Sequence, residues 1–289
     1  MIVSLQFIEY LCVLLPISLT VLHLFQIFHK KKLITICKES PPMGLLFISI
    51  ICMVIADAVM ANQWILVHLG LIKNVPENSL LLALPVLLRV ALQLFFGIAN
   101  LAIYAQRTYI LLFPLKPLKR ANKIIVFVEL TVTLAAASVG VVPNVPRSFD
   151  FIPIPKDCLS ANCSNLLPRR TYSATTTLVL SILILLVGGI FQYVFYKYRK
   201  SQPAFSEKTT LHRFARYTFY IRLFFEAVPY FTDLLLTNAF GLPIASRVGP
   251  YGLVACSLDY CASTFVYYNL VIKKTTPLLN VTSLGTSTS

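Results

Sequence analysis

The sequence predicts an all-α membrane protein: a seven-transmembrane helix bundle with its N-terminus outside and its C-terminus cytoplasmic. Seven apolar stretches, each near the ~20 residues an α-helix needs to cross hydrocarbon, fill most of the 289 residues. Hydrophobic residues make up 57% and charged residues only 12%, with a mean hydropathy of +0.76, outside the range of soluble domains. The basic residues fall on alternate connections. The longest connection, 143–172, is 30 residues, too short for a catalytic domain.

The first span, 5–28, has no basic segment ahead of it and Lys30, Lys31 and Lys32 behind it. That pattern predicts a retained signal anchor, not a cleaved signal peptide. The second span, 43–66, carries Asp57 at mid-depth, and the third, 80–106, carries a series of polar residues. In the fourth, 124–142, Glu129 lies near the cytoplasmic end, where snorkelling to the lipid interface or a local partner would accommodate it. The remaining spans are 173–196, 214–238 and 249–272, the last with Asp259 at mid-depth. Residues 1–274 make the bundle. Residues 275–289, rich in Ser and Thr without hydrophobic periodicity, read as a disordered cytoplasmic tail, with phosphorylation as the sharper reading.

A net charge of +14 would suggest nucleic acid if its residues formed one patch, but they do not. Sixteen of the 25 Lys and Arg fall in the first, third and fifth connections, with their flanks, and in the tail; the opposite connections hold six. Cytoplasmic loops retain positive charge, so the basic balance sets topology, with lipid headgroups as incidental partners. Nucleic acid is not expected.

The seven cysteines give no framework. Cys12, Cys52, Cys256 and Cys261 lie in spans and read as small apolar packing residues. Cys158 and Cys163 share the long outer loop, where a disulfide and two free thiols both remain open. The same loop carries Asn162-Cys163-Ser164, a glycosylation sequon on the outer side. The four histidines are scattered and no CxxC pair occurs, so neither a metal nor another cofactor is expected. A Gly-x-Ser-x-Gly turn is absent too, and the chain reads as a non-enzyme.

Charges inside spans cost roughly 2.5–3.5 kcal/mol each at mid-helix, so each needs a partner or a cavity. Arg89, Gln93, Asn100 and Arg107 fall within about 40° of one another on a helix. This stripe runs the length of the third span and must face the interior. On the sixth span Arg222, Glu226, Pro229 and Asp233 repeat the pattern, with Arg222 and Glu226 one turn apart and able to pair. Pro229 removes a backbone bond and predicts a kink beside these charges. Asp57 and Asp259 would pair with a buried Arg, bind a proton or cation, or stay neutral. Mutual neutralisation of all these groups is the plain structural alternative.

After the third span comes Arg107, then six residues, then Pro114-Leu115. That spacing resembles rhodopsin-like G protein-coupled receptors, in which the Arg is a latch that turns to meet the G protein and Pro-Leu opens the second inner loop. Pro229 and Asp57 look like that family's sixth-helix proline and second-helix aspartate. Gln106 stands where the family has an acidic residue and Leu82 where it has a disulfide Cys. The fourth span has no Trp, and the seventh lacks Asn-Pro-x-x-Tyr. With Gly249-Pro250-Tyr251-Gly252, Ser257-Leu258-Asp259 and Val266-Tyr267-Tyr268-Asn269, the chain is similar to nematode serpentine chemoreceptors of class BC. The resemblance implies a receptor for small environmental chemicals in sensory cilia, signalling through a heterotrimeric G protein.

A pocket lined by Arg89, Gln93 and Asp233 is expected in the outer half of the bundle. The Arg89 guanidinium suggests a carboxylate-bearing ligand, unless Asp233 already neutralises it. The coupling and switch residues would be Arg107, Pro114, Leu115, Arg222, Glu226 and Pro229, with Asp57, Asn100 and Asp259 as the polar core. The alternative is a small secondary transporter using the intramembrane charges. Against it, no internal repeat is visible.

Overall fold

The computed structural model describes residues 5–73, 78–144, 170–201, 210–240 and 251–272, and among them no strand occurs. Among the described residues nine α-helices follow in order: α1 Leu5–Lys30, α2 Leu33–Glu39, α3 Pro41–His68, α4 Ser79–Leu112, α5 Leu118–Val141, α6 Arg170–Ser201, α7 Thr210–Arg222, α8 Val228–Phe240 and α9 Tyr251–Tyr267. Wider π-helical turns, Leu223–Ala227 and Tyr268–Ile272, join α7 to α8 and extend α9.

Five of these helices are long and apolar enough to cross a membrane: α1, α3, α4, α5 and α6. This fits a membrane-embedded, multi-pass protein. The expected spans 214–238 and 249–272 are helical where described, but each contains a π turn and no single α segment reaches membrane length. Large apolar side chains such as Phe25, Phe127, Leu134 and Leu186 lie on the outside, where a water-soluble fold would not hold so many together.

Local sequence sets the breaks. Pro41 forces Ser40 into an extended conformation (φ −148°, ψ 93°) and then starts α3, where its missing N–H is no loss. The short helix α2, not expected from the sequence, thereby meets α3 at a corner. At the other end of α3, Gly70 takes φ +72°, with Gly70 N–H donating to Val67 and Leu71 N–H to Leu66. That reciprocal closure needs a left-handed residue, which glycine supplies without strain. Helix α4 runs six residues beyond its expected end. It stops at Phe113 (φ −130°, ψ 61°), held out of the helical region by Pro114.

Helix α4 is the hub, packing against α3, α5, α6 and α7, while α9 closes the bundle against α1 and α7. In lipid, apolar contact gives helices little reason to associate, and close packing of small residues does more of the work. At Gly188 on α6 an added methyl would run into the Phe219 ring on α7. Buried rings pack the end of the bundle where α3 and α7 begin and α9 ends: Phe47, Tyr267 and Phe214 meet edge to face at 4.8 and 5.4 Å.

Candidate functional site

The buried polar groups form three tiers along α4. In the first, Arg89 Nε donates to Asp57 Oδ1 of α3 at 2.9 Å, and its Nη1 to Gln93 Oε1 at 3.3 Å. Its Nη2 reaches the Gly252 carbonyl at 3.5 Å, and Tyr260 donates to Asp57 Oδ2 at 3.3 Å. Helical spacing places Arg89 and Gln93 one turn apart, and the antiparallel packing of α3 on α4 brings Asp57 level with them. This tier is internally neutral: Arg89 has its counter-ion in Asp57. Of the three residues expected to line a ligand pocket, Gln93 lines the cavity described next. Arg89 instead spends its charge on α3. The side chain of Asp233 lies outside the described residues.

The second tier sits where α7 becomes α8. Pro229 has no N–H to return to the Phe225 carbonyl. The turn ahead of it widens, so that Val228 N–H bonds Leu223 O five residues back. This widened turn is the break that Pro229 introduces here, and wide turns of this kind often mark functional sites. It presents Glu226 to Arg222, which is 2% exposed, and the two form an ion pair. Arg222 Nε lies 3.4 Å from Asp259 Oδ2 of α9, and the guanidinium stands 4.2 Å from the Phe96 ring centroid of α4. Ser263 donates to Asp259 Oδ1 at 3.4 Å. Beside this group is a cavity of about 90 Å³ whose walls include Gln93, Arg222, Phe225, Glu226, Pro229, Tyr230, Cys256 and Asp259.

The third tier is at the far end of α4. Arg107 is 6% exposed, donates from Nη2 to Ser40 Oγ at 3.2 Å, and leaves Nε without an acceptor. Among the described residues no carboxylate pairs with it. Ser40 donates to Gln106 Oε1 at 2.8 Å, and Gln106 Nε2 to Asn122 Oδ1 of α5 at 2.8 Å. Past the helix end, Pro114 is exposed and Leu115 is 98% exposed, a large apolar side chain offered to the surroundings. Asn100 is buried between the tiers and donates to the Phe96 carbonyl at 2.8 Å, outside the ion pairs.

Two expectations are corrected. Glu129 neither snorkels nor finds a local partner: it is 2% exposed and both carboxylate oxygens lack a hydrogen bond. Cys12, read as a small apolar packing residue, is exposed on α1; a small thiol costs little against hydrocarbon. Cys158, Cys163, Asn162 and the tail lie outside the described residues. Sequence reasoning missed Ser40, Tyr260, Phe96 and Cys256. For Tyr260 the signal was its place beside Asp259. The Ser40 contacts depend on the α2–α3 corner and gave none.

No family model, no curated protein and no solved structure matches this chain.

Proposed function

We propose that the chain is a seven-transmembrane receptor of the G protein-coupled kind, multi-pass in the plasma membrane with its N-terminus outside. In this reading α7 with α8, and α9 with its terminal π turn, supply the sixth and seventh crossings. A small molecule is recognised in the cavity of the second tier. The cytoplasmic partner meets Arg107, Pro114 and Leu115 at the end of α4.

The observation that carries this reading is that the cavity walls include the widened turn and both its flanks: Arg222 before it, Phe225 and Glu226 within it, and Pro229 and Tyr230 after it. A molecule in that cavity touches the joint of a two-piece helix. Only a ligand with unequal affinity for two arrangements can shift their balance, and contacts at the joint give that inequality a place to arise. Arg89 and Arg222 each meet a carboxylate in the first two tiers, whereas Arg107 is held by one neutral hydrogen bond at 3.2 Å. Such a cation is available to a carboxylate or carbonyl of an incoming protein.

The test is a second-messenger readout in cells expressing the chain at the surface, across a panel of small volatile and water-soluble compounds, with Arg107→Ala beside it. Ligand-dependent signal lost in Arg107→Ala at equal surface expression supports the reading. Accumulation of a labelled solute in proteoliposomes without G protein would establish the transporter alternative instead.

A further inference from the structure

The second-tier cavity has an unequal charge count. Its walls carry two carboxylates, Glu226 and Asp259, and one cation, Arg222. Among the described residues Arg89, the next cation along α4, is already bonded to Asp57. With all three groups ionised the cavity has one negative charge in excess, and in a water-poor interior that excess needs a counter-ion.

Asp259 is also poorly satisfied. It is 99% buried, yet its contacts from Ser263 and Arg222 are both 3.4 Å long. Charge-assisted hydrogen bonds run nearer ~2.7–2.9 Å. Arg222 does not close this gap, since its Nε finds no acceptor in hydrogen-bond geometry and its charge is shared between Glu226 and the Phe96 ring. Two ionised carboxylates offer about eight acceptor directions, and described donors occupy few of them. Surplus acceptors, surplus negative charge and an empty space beside both groups ask for the same chemistry: a compact cation rich in N–H donors.

We infer that the cavity binds a small primary ammonium ion, its N–H groups donating to Asp259 and Glu226 and its short alkyl part against Phe225, Pro229 and Tyr230. This assigns the opposite charge to the acidic ligand that Arg89 suggests in the sequence. At about 90 Å³ the space is smaller than the ~150 Å³ cavity that takes benzene, so the alkyl group has only a few carbons. Four non-hydrogen atoms cap affinity at about tens of micromolar. The inference rests on the cavity being the receptor's ligand site, but binding is measurable without signalling.

Isopropylammonium chloride, isopropanol and sodium isobutyrate are titrated onto the purified full chain in lipid nanodiscs, up to about ten millimolar, with thermal unfolding as the readout. Saturable stabilisation by isopropylammonium alone is expected. Asp259→Asn and Glu226→Gln should each weaken it about tenfold or more. Equal or greater stabilisation by the alcohol or the acid, or none by the ammonium ion, overturns the proposal. Should either variant fail to fold, the ranking of the three probes on the unmodified chain still decides. Binding without any second-messenger response in cells would leave the ammonium site standing and remove the receptor reading.

Discussion

On α5, the least buried of the five long helices, one glutamate nevertheless turns its carboxyl inward and finds no donor there. A buried acceptor without a partner costs about 1–3 kcal/mol, whereas an apolar side chain of the same shape does not. Glu129→Met should therefore raise the unfolding midpoint in nanodiscs by a few degrees, and an unchanged or lowered midpoint would show that the carboxyl has a partner. Asp57 and Arg89 behave oppositely, because each needs the other. Asp57→Asn should destabilise by about 3 kcal/mol, since it strands a mostly buried guanidinium. The double variant Asp57→Asn with Arg89→Gln should regain part of that loss, so additive losses in the thermal melts would contradict the pair.

Which residues are buried and polar was readable from the sequence; which of them meet was not. Burial of Asp57, Asn100, Arg107, Arg222 and Asp259 follows from the cost of charge and amide in hydrocarbon. Pairing depends on the level at which antiparallel helices align. Arg89 thus offered Asp57, Asp233 or a ligand as equal partners until α3 and α4 were placed side by side.

At the scale of elements, the widened turn ahead of Pro229 decides the geometry of the site. It adds one residue without advancing the helical face, so residues beyond it lag by about 100°. Plain α-helical arithmetic puts Tyr230 about 40° past Glu226, whereas the lag carries it back to within about 20° of Arg222. By either count it lies near the side that Arg222 presents, and it is found in the cavity wall. Periodicity assumes an unbroken helix, and a proline announces a break without saying how the turn ahead of it is wound. Pro229→Ala restores the missing N–H and should let the turn tighten. Amide exchange across 223–227 should then slow several-fold relative to flanking residues, and ligand response should fall at unchanged surface expression. Exchange equal to that of the unmodified chain would mean that packing, not Pro229, holds the turn open. Most apolar elements were legible to within a few residues; the exceptions are α2 before Pro41, the end of α4 before Pro114, the start of α5 after Pro117, six residues ahead of its expected place, the end of α6, five residues beyond its expected place, and the π turns that interrupt the last two.

For the whole molecule, the proposed crossing number and orientation make one prediction. Seven crossings place the two termini on opposite sides. An epitope added at the N-terminus should be stained on intact cells, and one at the C-terminus only after permeabilisation. Staining of both on intact cells, or of neither, would fit an even number and would move the alternate basic connections to both faces. The distribution of Lys and Arg carried this expectation, because the bilayer treats charge asymmetrically. The shape of the interior could not come from that source. Composition says that polar groups must gather, while the three-tier arrangement follows from α4 touching four neighbours at once.

The hydroxyl of Ser40 is the sole described acceptor for Arg107, and the Gln106 beside it is neutral. A clasp made of one uncharged bond restrains the quiescent form weakly, so the proposed receptor should idle at a raised tone. Unstimulated cells are expected to show basal messenger production that Arg107→Ala abolishes, and some compounds should register by silencing it.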